Sequence, residues 1–501
     1  MRLHVSSALP AANRFVALVA TSGAAYALAS VVAPIVLGTV LHSTRKVTRM
    51  ASSRTLVASM FALLLVGGTA VADDLSSDLD TLIARDGLTA DQAAARSHAA
   101  SPDVARKAAE LDAAMAQVSA AKIAWLPRLS TKFGYTRLSD IEEPMLAPGL
   151  ELKSLDNSYV ATTQLAVPVS DYVLRLPSTT KAAKLGEYAS RAGKRATELD
   201  AATEARLAYY EWMRARLQLL VAQRQLTQVR TTVDQVKKLV AGDRLSKADL
   251  LRVESQEAEA EQALDQLHTL AALREERLRL QIGARADERL TIGEDIRTPL
   301  TQSNETAGLD DMMQVAARKR MDLRALSLSI EANEQQRRAE KANLLPQLSL
   351  VAATEYSNPN QRVFPQDDKF TFTWTAGAQL AFTLNDTLTS RATDRRMKAE
   401  SNALRADRES LTRAARLQVL SAQQNIANAH KAIATSQKRL VAAEESYRVR
   451  KAFLEAERGT AVELVDAETN LTSARISALD ARVDLRIALA ELDHALGTDN
   501  H

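Results

Sequence analysis

The chain has 501 residues, a formal charge of +3 and no cysteine, which rules out disulfides and any thiolate-ligated metal. Six cations and no acid lie in residues 1–72 (Arg2, Arg14, Arg45, Lys46, Arg49 and Arg54), so the remainder carries −3. The basic balance therefore belongs to the amino terminus and gives no footing for nucleic-acid binding.

Residues 1–72 read as a targeting region. Met50 to Ala72 has a basic start at Arg54, an apolar run from Leu56 to Val66, and Ala70-Val71-Ala72 before Asp73. This is the layout of a secretory signal peptide, with Asp73 the expected first mature residue. Upstream, Phe15 to Leu41 is a second apolar run, long enough to span a bilayer. Two readings fit residues 1–49: a membrane anchor, or an early start with Met50 the true one. Past residue 73 no apolar run is long enough for a membrane helix, so a membrane-crossing mature chain must use a closed barrel.

Scarce Gly and Pro (16 and 12) among abundant Ala, Leu, Arg and Glu predict long helices. Residues 88–125 read as one helix, opened at Leu88-Thr89 and stopped by Pro127. The period then changes to two. Leu129, Thr131, Phe133 and Tyr135 share one face of a strand, and Arg128, Ser130, Lys132, Gly134 and Thr136 the other. After an acidic loop (Ser139 to Asp156), residues 157–169 form a second strand with Tyr159, Leu165, Val167 and Val169 on one side. A long helix (180–241), a turn and a return helix (248–283) follow, and residues 286–308 read as a linker.

The pattern then repeats. Trp125-Leu126-Pro127-Arg128-Leu129-Ser130 corresponds to Leu344-Leu345-Pro346-Gln347-Leu348-Ser349, 219 residues later. In the second hairpin Phe370, Phe372, Trp374, Ala376, Ala378, Leu380, Phe382 and Leu384 occupy every even position, against mostly polar odd ones. An apolar outer face over a polar lumen is an outer-membrane barrel pattern. A soluble sheet under a helical layer would give the same alternation. Four strands cannot close a barrel; a homotrimer would supply twelve. A second long helix (386–457) has Leu404, Leu411, Ala415, Ala422, Ile426, Ala429, Ile433 and Leu440 at coiled-coil spacing, and a return helix (460–496) ends the chain. In each half the pre-strand and return helices together approach the long helix in length, so the two would run end to end beside it.

The turns repeat as well. Arg244-Leu245-Ser246 with Asp249-Leu250 corresponds to Arg458-Gly459-Thr460 with Glu463-Leu464, a hydroxyl followed by an acid three residues on, which marks a helix start. Signal peptide, two helix–Pro–hairpin–long helix–turn–helix halves (85–285 and 309–497), and the string Gly459-Thr460-x-x-Glu463-Leu464-Val465-Asp466-Ala467 together resemble the TolC-type outer-membrane efflux proteins.

The resemblance implies a mainly helical fold with β-structure, internally duplicated. A homotrimer would join a twelve-stranded barrel in the Gram-negative outer membrane to a periplasmic helical barrel. It implies a passive channel for efflux or type I secretion, working with a periplasmic adaptor (membrane fusion) protein and an inner-membrane pump. Glu463 and Asp466 are the implied periplasmic gate acids, and Arg244, Leu245, Ser246, Gly459 and Thr460 the implied adaptor-docking turns. Phe370, Phe372, Trp374, Leu380 and Phe382 are the expected lipid-facing residues. Glu463 stands where the family has Asp, Arg252 stands opposite Asp466 in the first turn, and Ser170-Asp171 and Asn385-Asp386 replace the usual Gly-rich turns. No nucleotide-binding loop, metalloprotease motif or nucleophile elbow occurs, and the seven His are dispersed. The sequence thus points to no enzyme, no cofactor and no metal. The competing class is a soluble periplasmic coiled-coil scaffold whose strands pack internally.

Overall fold

The computed structural model describes residues 73–139, 145–147, 150–151, 155–298 and 308–498. The targeting region, its cleavage point, part of the Ser139–Asp156 loop and the end of the 286–308 stretch lie outside these. The described chain opens with α1 (Asp73–Leu82) and β1 (Ile83–Leu88), followed by α2 (Ala90–Ala100) and α3 (Pro102–Ile123). Strands β2 (Arg128–Arg137), β3 (Met145–Ala147), β4 (Leu150–Glu151) and β5 (Asn157–Val167) come next. Helices α4 (Val169–Leu174), α5 (Leu176–Ala241) and α6 (Lys247–Ile282) complete the first half. The second half holds α7 (Leu309–Lys319), α8 (Met321–Lys341), β6 (Gln347–Asn358), β7 (Thr371–Ala381), α9 (Leu384–Glu455) and α10 (Ala461–Leu496).

The expected helix over 88–125 starts at its Thr89 cap and stops before Pro127, but it is two helices. The chain extends at Ser101 (φ −73°, ψ 119°), whose side chain caps α3 ahead of Pro102. The same break recurs 219 residues later at Arg320 (φ −65°, ψ 115°), between α7 and α8. Each break meets the end of its own return helix. Gly283 (φ +63°) and Gly497 (φ +68°) adopt the left-handed conformation at the ends of α6 and α10. A Cβ on Gly283 would lie 2.8 Å from the Ala100 Cβ, and one on Gly497 would lie 2.9 Å from the Arg320 backbone. Glycine is required twice over at both joints.

The two long helices have 66 and 72 residues, which at ~1.5 Å rise per residue is about 100 and 108 Å. Toward the turns, α5 is flanked by α6 and α10, and α9 by α10; toward the strands, α5 packs on α3 and α8, and α9 on α8. Shorter helices therefore follow one another along each long one, as the lengths foretold. On α9 the buried stripe holds Ala415, Ala422, Ile426 and Ala429 from the expected seam, together with Val419. Small residues there let α10 approach closely.

The main core lies at the level of the helix breaks. Tyr209, Trp212 and Met213 of α5 pack with Leu278 of α6 and with Leu479 and Val483 of α10. The segment expected as a linker contributes to it: Ile292 and Ile296 are 2% and 3% exposed. Ile292 bridges Ile83 and Leu88 in parallel. Gly87 and Gly293 permit that approach, since a Cβ on either would fall within 2.6 Å of the opposite backbone.

Candidate functional site

The four long strands make one antiparallel sheet in the order β2-β5-β6-β7. Its register decides which side chains share a face. Leu129 opposes Leu165, Leu165 opposes Ala352, and Ala352 opposes Ala376. Tyr356 opposes Phe372, Thr354 opposes Trp374, and Leu348 opposes Leu380. The apolar rows read separately from each strand therefore fall on one continuous face. That face is uncovered: Phe372, Trp374 and Leu380 are 60%, 67% and 69% exposed. Phe370 and Phe382, just beyond the two ends of β7, are exposed too. Toward the loop end, Tyr135 stacks near Tyr159 at 5.0 Å and Tyr356 on Phe370 at 5.1 Å, an aromatic belt of the type found at a bilayer interface.

The opposite face is polar. Lys132 opposes Thr162, which opposes Glu355, which opposes Thr373. Strands of 10 to 12 residues match the length that crosses a bilayer when tilted. Among the described residues, β2 and β7 each pair on one side only, so both sheet edges are open.

At the far end of the helices, the two turns share one construction. Asp243 (φ 58°) and Glu457 (φ 59°) end α5 and α9 in the left-handed region. In each, paired hydrogen bonds close the last turn: Arg244 N to Leu239 O at 2.9 Å with Asp243 N to Val240 O at 3.0 Å, and Arg458 N to Phe453 O at 2.8 Å with Glu457 N to Leu454 O at 3.0 Å. Ser246 and Thr460 then cap α6 and α10, accepting from Asp249 N and Glu463 N at 3.1 and 3.3 Å. Arg244 reaches across to an ion pair with Glu457, tying the two turns together. Leu245 packs half-buried beside Val236, Val253 and Val465, while a Cβ on Gly459 would sit 3.1 Å from the Phe453 Cβ.

Of the two acids singled out from the sequence, Glu463 bonds Arg450 of α9 at 2.9 Å, both side chains being partly exposed. Asp466 is exposed and has no ion pair among the described residues. Sequence reasoning passed over Glu468, two residues on. It is 2% exposed at the α5–α10 contact, accepting the Thr232 hydroxyl at 2.7 Å while its Oε2 has no hydrogen-bond partner. Burial pushes its carboxyl up to about 7, against the Thr232 hydrogen bond and the Lys451 ammonium, which act in the other direction. Farther along the same contact, Gln218 of α5 donates to both oxygens of Asp480 at 3.0 and 3.1 Å, and Arg214 pairs with Asp484 at 2.5 Å. The joint between the two helical hairpins thus mixes polar bridges with the apolar seam.

The described residues contain no His/Cys/Asp/Glu cluster suited to a metal ion, and no helix among them is long and apolar enough to cross a membrane. A family profile described as outer membrane efflux protein matches residues 93–284 and 312–498, one segment per repeat. No curated protein sequence matches the chain significantly. Among solved structures, the fold is similar to the outer-membrane channel OprN (TM-score 0.69, 18% identity, 88% of this chain and 98% of that one). It is also similar to the outer-membrane channel MtrE of Neisseria gonorrhoeae (0.68, 20%, 82% and 89%) and the outer membrane protein VceC of Vibrio cholerae (0.68, 16%, 85% and 96%). With its duplicated helical scaffold, its exposed apolar sheet face and both repeats matched, the chain belongs to the outer membrane efflux protein family and is a protein of the Gram-negative outer membrane that extends into the periplasm.

Proposed function

We propose that three copies of this chain form a passive export channel. The observation that carries this reading is the four-stranded sheet, with its uncovered apolar face, polar opposite face and two open edges. An unpaired edge in a bilayer is costly, because no water satisfies its N–H and C=O groups. Pairing β7 of one copy with β2 of the next removes every edge. Twelve strands then place Phe370, Phe372, Trp374, Leu380 and Phe382 toward lipid and Lys132, Thr162 and Glu355 toward the lumen. The soluble-scaffold alternative would leave the same aromatic face in water.

The helices continue the channel into the periplasm as a barrel. The turns, with Arg244, Leu245, Ser246, Gly459 and Thr460, form its rim and the docking edge for a periplasmic adaptor protein, which links the channel to an inner-membrane pump. Energy comes from the pump, since the chain carries no nucleotide-binding motif. Glu463 and Asp466 lie about one and two helical turns inside that rim. Asp466, the carboxylate without an ion pair, contributes most to a threefold acidic ring at the entrance, while Glu463 is largely offset by Arg450. Single-channel recording in planar bilayers tests this: discrete, cation-preferring conductance supports it, and a protein that salt washing or osmotic shock releases from membranes refutes it.

A further inference from the structure

Four arginines are buried in the described structure, and three of them bond a carboxylate or a backbone carbonyl, although the Nε of Arg486 has no hydrogen-bond partner. Arg206 bonds Asp91, Arg320 bonds Asp322, and Arg486 donates to the backbone carbonyls of Asp295, Ile296 and Thr298. Arg475 of α10 is the exception. It is 7% exposed, its Nε has no hydrogen-bond partner, and no carboxylate lies within ion-pair distance of its guanidinium among the described residues. A desolvated, unpaired guanidinium is expensive.

Arg475 lines a cleft of about 660 Å³ between α5 and α9, floored by α10. The other charged groups there are accounted for one by one. Arg224 of α5 is committed to Asp78 at 2.9 Å, and Arg448 of α9 is held by both oxygens of Glu445. Lys451 of α9 lines the cleft with no ion pair to any described residue. Glu455 lies at the same wall. Glu444 of α9 is the acid that Arg475 feels most through space, with no ion pair formed between them. The Tyr447 hydroxyl and the Gln228 amide face one another across the cleft. The Thr227 and Thr231 hydroxyls donate to their own helix, at 3.0 Å each. Two cations therefore face an open cleft with no ion pair of their own among the described residues, beside a single lining carboxylate, Glu455, and with the buried Glu468 acting on Lys451 through space.

We propose that this cleft is an anion site, in which Arg475 and Lys451 bind a small oxyanion such as phosphate or sulfate. The planar guanidinium offers paired donors to two oxygens, and the ammonium supplies a second charge. Thr232 lies about 15 Å, ten residues of α5, from the turn at Gly242. The bound anion joins α9 to α10 along the stretch where α10 packs on α5.

The test titrates inorganic phosphate into the full-length protein in detergent, at constant ionic strength in chloride, read by calorimetry and thermal melting. Binding is measured here without reference to conduction, so its failure leaves the export reading untouched. Phosphate is expected to bind saturably and raise the melting temperature. Arg475→Met and Lys451→Met should each weaken phosphate at least about tenfold, the loss of one charge-assisted hydrogen bond. Lys438→Met, on an exposed position of α9 outside the cleft, should leave binding unchanged. Arg475→Lys should fold and bind more weakly than the parent, which covers the case in which Arg475→Met does not fold. Melting that follows ionic strength alone, or phosphate binding unaltered by Arg475→Lys and Lys451→Met, overturns the proposal. So does a Glu444→Gln variant that loses stability in phosphate-free buffer as Arg475→Met does, since Glu444 would then be the arginine's partner.

Discussion

Replacing Glu468 with Gln isolates one buried proton. The glutamine oxygen can keep the bond from the Thr232 hydroxyl, and the amide carries no charge at any pH, so the variant mimics the protonated acid. In the folded protein the carboxyl titrates near 7 rather than 4.5, because it sits between α5 and α10 away from water. The folded state thus holds a proton that the unfolded chain has already released. Stability from this group is greatest below about pH 4.5, declines as pH rises toward 7, and levels off above. The gap corresponds to about 3 kcal/mol per chain at roughly 1.4 kcal/mol per pKa unit. Other groups titrate in the same window, so the informative quantity is the difference between variant and parent. Guanidinium unfolding at fixed protein concentration in detergent, from pH 5 to 8.5, supplies it. Glu468→Gln should exceed the parent by about 1 kcal/mol per chain at pH 5 and by about 3 kcal/mol per chain at pH 8. A difference that stays constant across that range would refute burial as the cause.

Three further outcomes follow from other parts of the molecule. Trp374→Arg, on the exposed apolar face, should cost about 2–4 kcal/mol in a bilayer and lower the yield of membrane-inserted protein; no effect, or improved solubility, would favour a soluble sheet. Asp466→Ala should lower cation preference and block by multivalent cations in single-channel recordings, and Glu463→Ala, which leaves the Arg450 charge unpaired, should shift selectivity toward anions by the same one charge per chain. Gly497→Ala forces a side chain into a left-handed residue against the Arg320 backbone and should destabilise by at least ~1–2 kcal/mol, seen as a lower melting temperature.

The features legible in the sequence were those written in local chemistry. Leu-Pro stops a helix and period two starts a strand, so both hairpins stood out, and the shared register of Leu129, Leu165, Ala352 and Ala376 puts their apolar rows on one face. The turns were readable because Ser246 and Thr460 are capping residues. The break at Ser101 had a signal, a Ser-Pro-Asp helix start, hidden in an Ala-rich run. Its partner at Arg320 has neither proline nor a capping side chain, and only the 219-residue repeat exposes it. The core role of Ile292 was out of reach, because it depends on a contact with β1 some 200 residues away. Glu468 shows the limit most clearly. Its repeat mate is Glu254, whose side chain is 39% exposed beside Lys237. The two stand at the same position of the same motif, but α10 is enclosed by both long helices, α5 and α9, whereas α6 packs on only one of them, α5.

The central claim is that three chains close one barrel through β2 and β7. Because the protein has no cysteine of its own, single cysteines at Ser130 or Lys132 of β2, combined with one at Thr373 or Thr375 of β7, report that edge without background. Oxidation in isolated outer membranes should link chains only when both strands carry a cysteine, in a ladder that ends at three. Chains that remain single, or a ladder that passes three, would contradict the closed trimer.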